Sequence, residues 1–260
     1  MSPTLRFADP GEAADLAAFL GRLVHYDRAA AVRLQAGGGA LAVFGRPPSF
    51  DVLAIRTVRL AEPVAMPLDT TVSAGELLES VDEDAAGAVV PAAVTGPPWA
   101  GVLPPRGGWQ EVAGLPAPEA IRAALAGAVA EFRARDEALP PQHRTRSQRD
   151  RIGREIWSRT LGDTELPLRA VHAAQSLGFL RPTRSAVPAA SGARAVTAGT
   201  GTASAAATGS ASAGGHGAPQ PVALLASGGW LRLRTPYGSI ALRRPGVAGG
   251  LGALQVRPVR

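Results

Sequence analysis

The chain has 260 residues, with 27 basic and 21 acidic side chains, and every basic residue is arginine. It has no lysine, which excludes P-loop, kinase-type and Schiff-base chemistry. It has no cysteine, which excludes thiol nucleophiles, disulfides and thiolate-held zinc or iron–sulfur clusters.

In chain order, Asp9-Pro10-Gly11-Glu12 opens a helix: Asp9 caps it, Pro10 suits its first position and Glu12 closes a capping box. Leu16, Phe19, Leu20, Leu23 and Val24 then repeat with helical spacing, and His25 ends the segment. Ala31–Ala36 alternates as a strand, Gly37-Gly38-Gly39 is a hairpin turn, and Leu41 and Val43 resume the alternation. Asp51–Leu60 reads as a third strand, with a phase shift that predicts a bulge near Arg56-Thr57. Ser73-Ala74-Gly75-Glu76 is a capping box for a short helix through Val81, and Val89–Val94 is a short buried strand.

Four prolines and four glycines between Gly96 and Trp109 preclude regular structure there. Helices follow over about 118–136, with Ile121, Leu125, Val129 and Phe132 as the stripe, and over about 147–161, with Ile152, Ile156 and Trp157 inward. A third spans about 166–177 and stops at Gly178. Residues 183–221 are almost all Ala, Gly, Ser, Thr, Pro and Val, which predicts a disordered linker, and 245–260 is a loose Gly/Pro/Arg tail. Between them, Thr235-Pro236-Tyr237-Gly238 is a turn. It pairs Leu233 with Ile240 and Leu231 with Leu242, and sets Trp230 opposite Arg243 for a cation–π contact.

The fold class is therefore α+β: an N-terminal antiparallel β-meander with a capping helix, a helical middle segment and a C-terminal β-hairpin. The expected division is an α+β domain over 1–115, a helical segment over 116–182, the linker over 183–221, the hairpin over 222–244 and the tail. The hairpin packs on one of the preceding parts.

Charge is divided along the chain. Residues 1–132 carry 9 Arg and 15 acids, and residues 133–260 carry 18 Arg and 6 acids, a net of −6 against +12. No acidic residue follows Glu165. Such an imbalance points to a polyanion or an acidic surface as partner, or to the basic half packing beside the acidic half.

The segments Tyr26-Asp27-Arg28-Ala29-Ala30-Ala31-Val32-Arg33-Leu34, the Gly-Pro-Pro-Trp loop and Leu231–Ser239 resemble hypothetical proteins of streptomycete-like bacteria. The resemblance covers most of the chain outside the linker. It implies a high-GC actinobacterial source and transfers no activity and no functional residue.

The residues offer little catalytic material. His25, His143, His172 and His216 have no metal-ligand spacing, there is no Gly-x-Ser-x-Gly elbow, and Gly37-Gly38-Gly39 has no following helix to cradle a phosphate. No catalytic, cofactor or metal residue is assigned, although a site dispersed over distant carboxylates and hydroxyls stays open. The expected function is a non-enzymatic binding or adaptor protein that meets a protein partner through Trp99, Arg106 and Trp109. The alternative is nucleic-acid binding by residues 133–260 as a winged helix. Arg169, His172 and Gln175 would lie on the recognition helix, and Trp230, Arg232, Arg234 and Arg243 on the wing. The start lacks the apolar core of a secretory signal and no stretch is long enough to span a membrane, so a cytoplasmic location away from membranes is expected.

Overall fold

The structure, a computed structural model, describes residues 3–182 and 221–244. The expected linker, apart from Pro221, and the expected tail lie outside the described residues.

Helix α1 spans Pro10–Tyr26, and the Asp9 side chain accepts a hydrogen bond from the Glu12 N–H at 3.0 Å. Its buried face is Ala13, Leu16, Phe19, Leu20 and Leu23, as the spacing requires. Strands β2 (Ala31–Gly37), β3 (Ala40–Gly45) and β4 (Leu53–Arg59) form the expected meander. Two further N-terminal strands are β1 (Thr4–Arg6) and β5 (Leu68–Ser73), the second pairing with β2. Helix α2 (Ala74–Ser80) carries the expected cap, with Ser73 Oγ accepting from the Glu76 N–H. Strands β6 (Val81–Asp82) and β7 (Gly87–Val89) join β1 in a small separate sheet, order β1-β7-β6.

The second half runs β8 (Gln110–Glu111), α3 (Pro118–Glu137), α4 (Arg146–Trp157) and α5 (Leu168–Ser176). After the undescribed segment come β9 (Ala223–Ser227), β10 (Trp230–Thr235) and β11 (Gly238–Arg243). The hairpin register is the expected one: Leu231 pairs with Leu242, Leu233 with Ile240 and Trp230 with Arg243.

The other eight strands meet in one sheet of order β5-β2-β3-β4-β11-β10-β9-β8. Four strands come from residues before 101 and four from residues after 104, joined by the antiparallel β4–β11 pair at the centre. The two sides match in plan. Each has a helix (α1, α5) before a three-stranded meander whose first turn is a Gly-Gly pair, with Gly38 at φ 60° and Gly228 at φ 52°. Only glycine adopts that backbone without strain. Helix α1 packs on β4 and α5 on β11, so both lie on one face.

Beneath the helices the core is continuous: Leu34, Val43, Val58, Leu231, Leu233 and Ile240 from the sheet meet Leu16, Leu20, Ile121, Ile156, Val171 and Phe179. On the central strand β4, Arg56 is buried and pairs with Glu12 at 2.9 Å and Asp15 at 3.2 Å, while its Nη1 donates to the Tyr237 carbonyl at 2.8 Å. Arg181 also pairs with Asp15 and stacks on the Tyr237 ring at 3.7 Å. This network ties α1 and β4 to the hairpin turn.

Several boundaries differ from expectation. The β3–β4 ladder is continuous from Ala40–Arg59 to Gly45–Ala54, so there is no bulge at Arg56-Thr57. The phase shift arises because β4 is buried on both faces at its start, and Arg56 takes an inward position by pairing with Glu12. The strand expected at Val89–Val94 is instead Gly87–Val89; Val90 is buried and Ala93 makes only a bridge to Val72. Helix α4 ends at Trp157, short of Leu161, and α5 begins at Leu168, because a residue before proline, here Leu166 before Pro167, is pushed out of the helical region. One 3-10 turn, Pro98–Gly101, interrupts the Gly/Pro-rich loop.

Candidate functional site

The face of the sheet opposite the helices is covered by residues 94–109, which cross it as a strap. At one edge the Val94 N–H donates to the Thr71 carbonyl at 2.9 Å. Further along, Arg33 on β2 holds the Asp69 carboxylate through two hydrogen bonds of 2.7 and 2.8 Å and donates to the Ala100 carbonyl, anchoring the turn. The Asp69 carboxyl is held below its ordinary range, first by the Arg33 hydrogen bond and, among lesser causes, by the charge of Arg106. At the other edge Ser227 Oγ donates to the Gly107 carbonyl at 3.2 Å, and β8 then pairs with β9. Trp99, Leu103 and Trp109 pack down on Phe44, Leu53, Ile55, Trp230 and Ala241. Both strap indoles are half-buried, and Arg106 stands exposed at the bend between them.

Between the strap and the sheet end lies an open cavity of about 270 Å³. Strand alternation places Trp230, Ala241 and Arg243 on this face, while Leu231, Ile240 and Leu242 enter the helix-side core. Leu168 is buried at the start of α5, so the next residue, Arg169, reaches the cavity rim. The β3–β4 turn supplies Arg46 and Asp51, which pair at 2.8 Å. Ser49 (φ 74°) and Asp51 (φ 51°) adopt the left-handed region there, a strained backbone for non-glycine residues. Trp99 and Val102 complete the strap side. The Arg243 guanidinium stands 4.3 Å from the centre of the Trp230 ring.

The wall carries three guanidinium groups and one carboxylate, and that carboxylate is bonded to Arg46. Among the described residues, Arg169 and Arg243 have no carboxylate partner, and Arg169 Nε is buried without any hydrogen-bond partner. Arg232 and Arg234 follow along β10 on the same face, their Nε atoms also buried and unpartnered. Arg232 lies 5.7 Å from the Trp109 ring. Burial, and then repulsion by Arg234, lowers its affinity for its proton below the ordinary guanidinium value. Uncompensated charge of this kind favours an anion.

The structure brings Trp99, Arg169, Trp230 and Arg243 together in this cavity, with Arg232 and Arg234 beside it. It does not bring His172 or Gln175 there. His172 stacks on Trp157 at 4.4 Å with Phe50 edge-on at 5.2 Å, and burial pushes its pKa down. Gln175 is exposed on α5. The hairpin sits at the centre of the sheet, paired through β11 to β4, rather than projecting from the helices as a wing. Arg46 and Asp51 were not singled out by sequence reasoning, and no local signal marks them, because only the β4–β11 pairing carries their turn to Arg243. Among the described residues no group of three His, Asp or Glu could hold a metal ion, and no helix is long and apolar enough to cross a membrane.

A family model described as a domain of unknown function, DUF8185, matches residues 104–247, more than half of the chain. The chain belongs to the DUF8185 family. A second model, the domain of unknown function DUF8010, matches residues 1–101. No curated protein and no solved structure matches the chain. The two matched regions meet in the middle of the strap and share one sheet. The cavity draws on both: Arg46, Asp51, Leu53 and Trp99 come from the DUF8010 region, and Arg169, Trp230, Ala241 and Arg243 from the DUF8185 region.

Proposed function

We propose that the protein acts by binding rather than by catalysis, and that its recognition site is the cationic, indole-lined cavity shared by the two regions, which takes an anionic partner. The observation that carries this reading is the convergence of Arg169 and Arg243, neither bonded to a carboxylate, on a wall that also holds Trp99 and Trp230. Arg and Trp are the residue types that dominate binding hot spots. The one carboxylate on the wall is engaged by Arg46, so no free general base faces the cavity. The same reading carries a cytoplasmic location and a high-GC actinobacterial source.

Nucleic acid is the second reading. The row of Arg232, Arg234 and Arg243 along the hairpin and the +12 balance of residues 133–260 favour it. Fluorescence anisotropy separates the two. A labelled glutamate-rich peptide and a labelled random duplex are titrated with the full chain between about 50 and 200 mM salt. A duplex bound through about five phosphates gives a log K against log salt slope near −4 to −5. Binding of any anion that survives Arg169→Gln and Arg243→Gln unchanged overturns the cavity as the site.

A further inference from the structure

Among the described residues, the cavity at the sheet end and the one at the start of α1 are each lined by three arginines, and they differ in how the charge is met. The one at the start of α1 sets Arg56, Arg59 and Arg181 against Asp9, Glu12 and Asp15, and every guanidinium is bonded to at least one carboxylate. Its charge is settled internally, which makes it a latch. The cavity at the sheet end sets Arg46, Arg169 and Arg243 against Asp51 alone. Two positive charges are left over, and Arg169 Nε is already stripped of water without a replacement acceptor. A single carboxylate ligand would leave one of the two unmatched. A phosphate monoester carries close to two negative charges at neutral pH and presents three acceptor oxygens, which suits two planar guanidinium forks.

The rest of the wall states what carries the phosphate. Trp99 gives it flat apolar surface, the buried Trp230 ring backs the Arg243 guanidinium, and Leu53, Val102 and Ala241 add no competing acceptor or donor side chain. Indole faces stack on nucleobases irrespective of base identity. The volume of about 270 Å³ lies just under the usual range for drug-sized ligands, which limits the occupant to one small molecule. Building on the anion-binding reading above, we infer that the cavity binds a phosphate monoester on a flat ring, of mononucleotide size, with Arg169 and Arg243 on the phosphate and Trp99 against the ring. The site is bipartite, because the arginines on the phosphate belong to the DUF8185 region while Trp99 and the Arg46–Asp51 turn belong to the DUF8010 region.

The test uses the full chain and two probes, adenosine and cytidine 5′-monophosphate, in isothermal titration calorimetry followed by tryptophan fluorescence. The expected result is one site per chain for both nucleotides, at least tenfold tighter than inorganic phosphate or the corresponding nucleoside. Arg169→Gln and Arg243→Gln each weaken it roughly ten- to hundredfold, the range for losing a charge-assisted hydrogen bond. Thermal melts show that these variants fold. Trp99→Leu, on the strap rather than in the sheet, tests the ring contact by a smaller loss that inorganic phosphate does not share. Nucleotides that bind no tighter than phosphate alone, or that bind folded Arg169→Gln as well as the parent chain, overturn the inference. If the glutamate-rich peptide or a 5′-phosphorylated oligonucleotide binds and the mononucleotides do not, this inference fails and the broader anion reading stands. If none of the probes binds, both fail.

Discussion

The two faces of the sheet are made by the same strands and are finished differently. On the helix side, Leu231, Leu233, Ile240 and Val58 belong to one core with leucine, isoleucine and phenylalanine side chains from the helices, and the surface is closed. On the strap side, the alternate residues of the same strands are Trp230, Arg232, Arg234 and Arg243, met by one largely irregular segment, with Arg169 at the start of α5 reaching the cavity rim. A strand has two independent faces because its side chains alternate, so one face can hold the fold together while the other carries charge that the fold does not need. The difference puts the closed apolar core on one side of the sheet and the unmatched positive charge on the other.

That division can be broken by substitution, starting with the largest expected effect. Leu233→Ala removes a fully buried side chain from the helix side and should cost about 3–5 kcal/mol in urea unfolding. Arg243→Ala, one strand over on the other face and exposed, should change stability by less than about 0.5 kcal/mol. Equal losses would mean that the strap side is core as well. Trp109→Ala takes away a half-buried indole and its cation–π contact with Arg232, an expected loss of about 1–2 kcal/mol. It should also speed tryptic cleavage after the exposed Arg106, read by mass spectrometry. A cleavage rate unaltered by the substitution would show that the indole does not hold the strap. Asp9→Ala deletes the α1 cap and should lower stability by about 1 kcal/mol, with the strap-side titrations unaffected.

The smallest effect concerns pH. His172 is held neutral by burial between Trp157 and Phe50, below its ordinary value of 6.5. The unfolded chain therefore takes up the proton first, so this contribution is complete above pH 6.5 and is lost as the pH falls toward the folded value. His172→Phe keeps an aromatic ring in the stack and should flatten the melting temperature between pH 6.5 and 5 relative to the parent chain. An unchanged slope would remove His172 as its source.

Much of the helix side was legible from periodicity alone. The α1 stripe, the β2–β3 alternation and the β10–β11 register depend on local spacing, and local spacing is what a sequence displays. The strap side was legible only in its residue types. Trp99 belongs to one functional reading and Arg169, Trp230 and Arg243 to another; spacing pairs Trp230 with Arg243, and what brings the Arg46–Asp51 turn to that pair is the β4–β11 pairing. That contact joins segments far apart in the chain, and no periodicity encodes it. Arg56 shows the opposite failure: a charged residue at an inward position looked like a bulge, because its partner Glu12 sits on a helix read separately. The Gly-Gly turn that opens both meanders was the one local trace of the matched plan of the two halves.

The β4–β11 pair also sets a timetable for synthesis. Arg56 and the Tyr237 carbonyl that it reaches are 181 residues apart. At ribosomal rates of about 5–20 residues per second, the strands of the first half wait roughly 10–40 s for the partner that will cover the open side of β4. During that interval Leu53 and Ile55 lie on an unpaired edge, the kind of surface on which nascent chains associate wrongly. The nascent protein carries a half-built sheet over those 181 residues of synthesis, and its folding yield in the cell rests on keeping that edge unoccupied until β11 emerges.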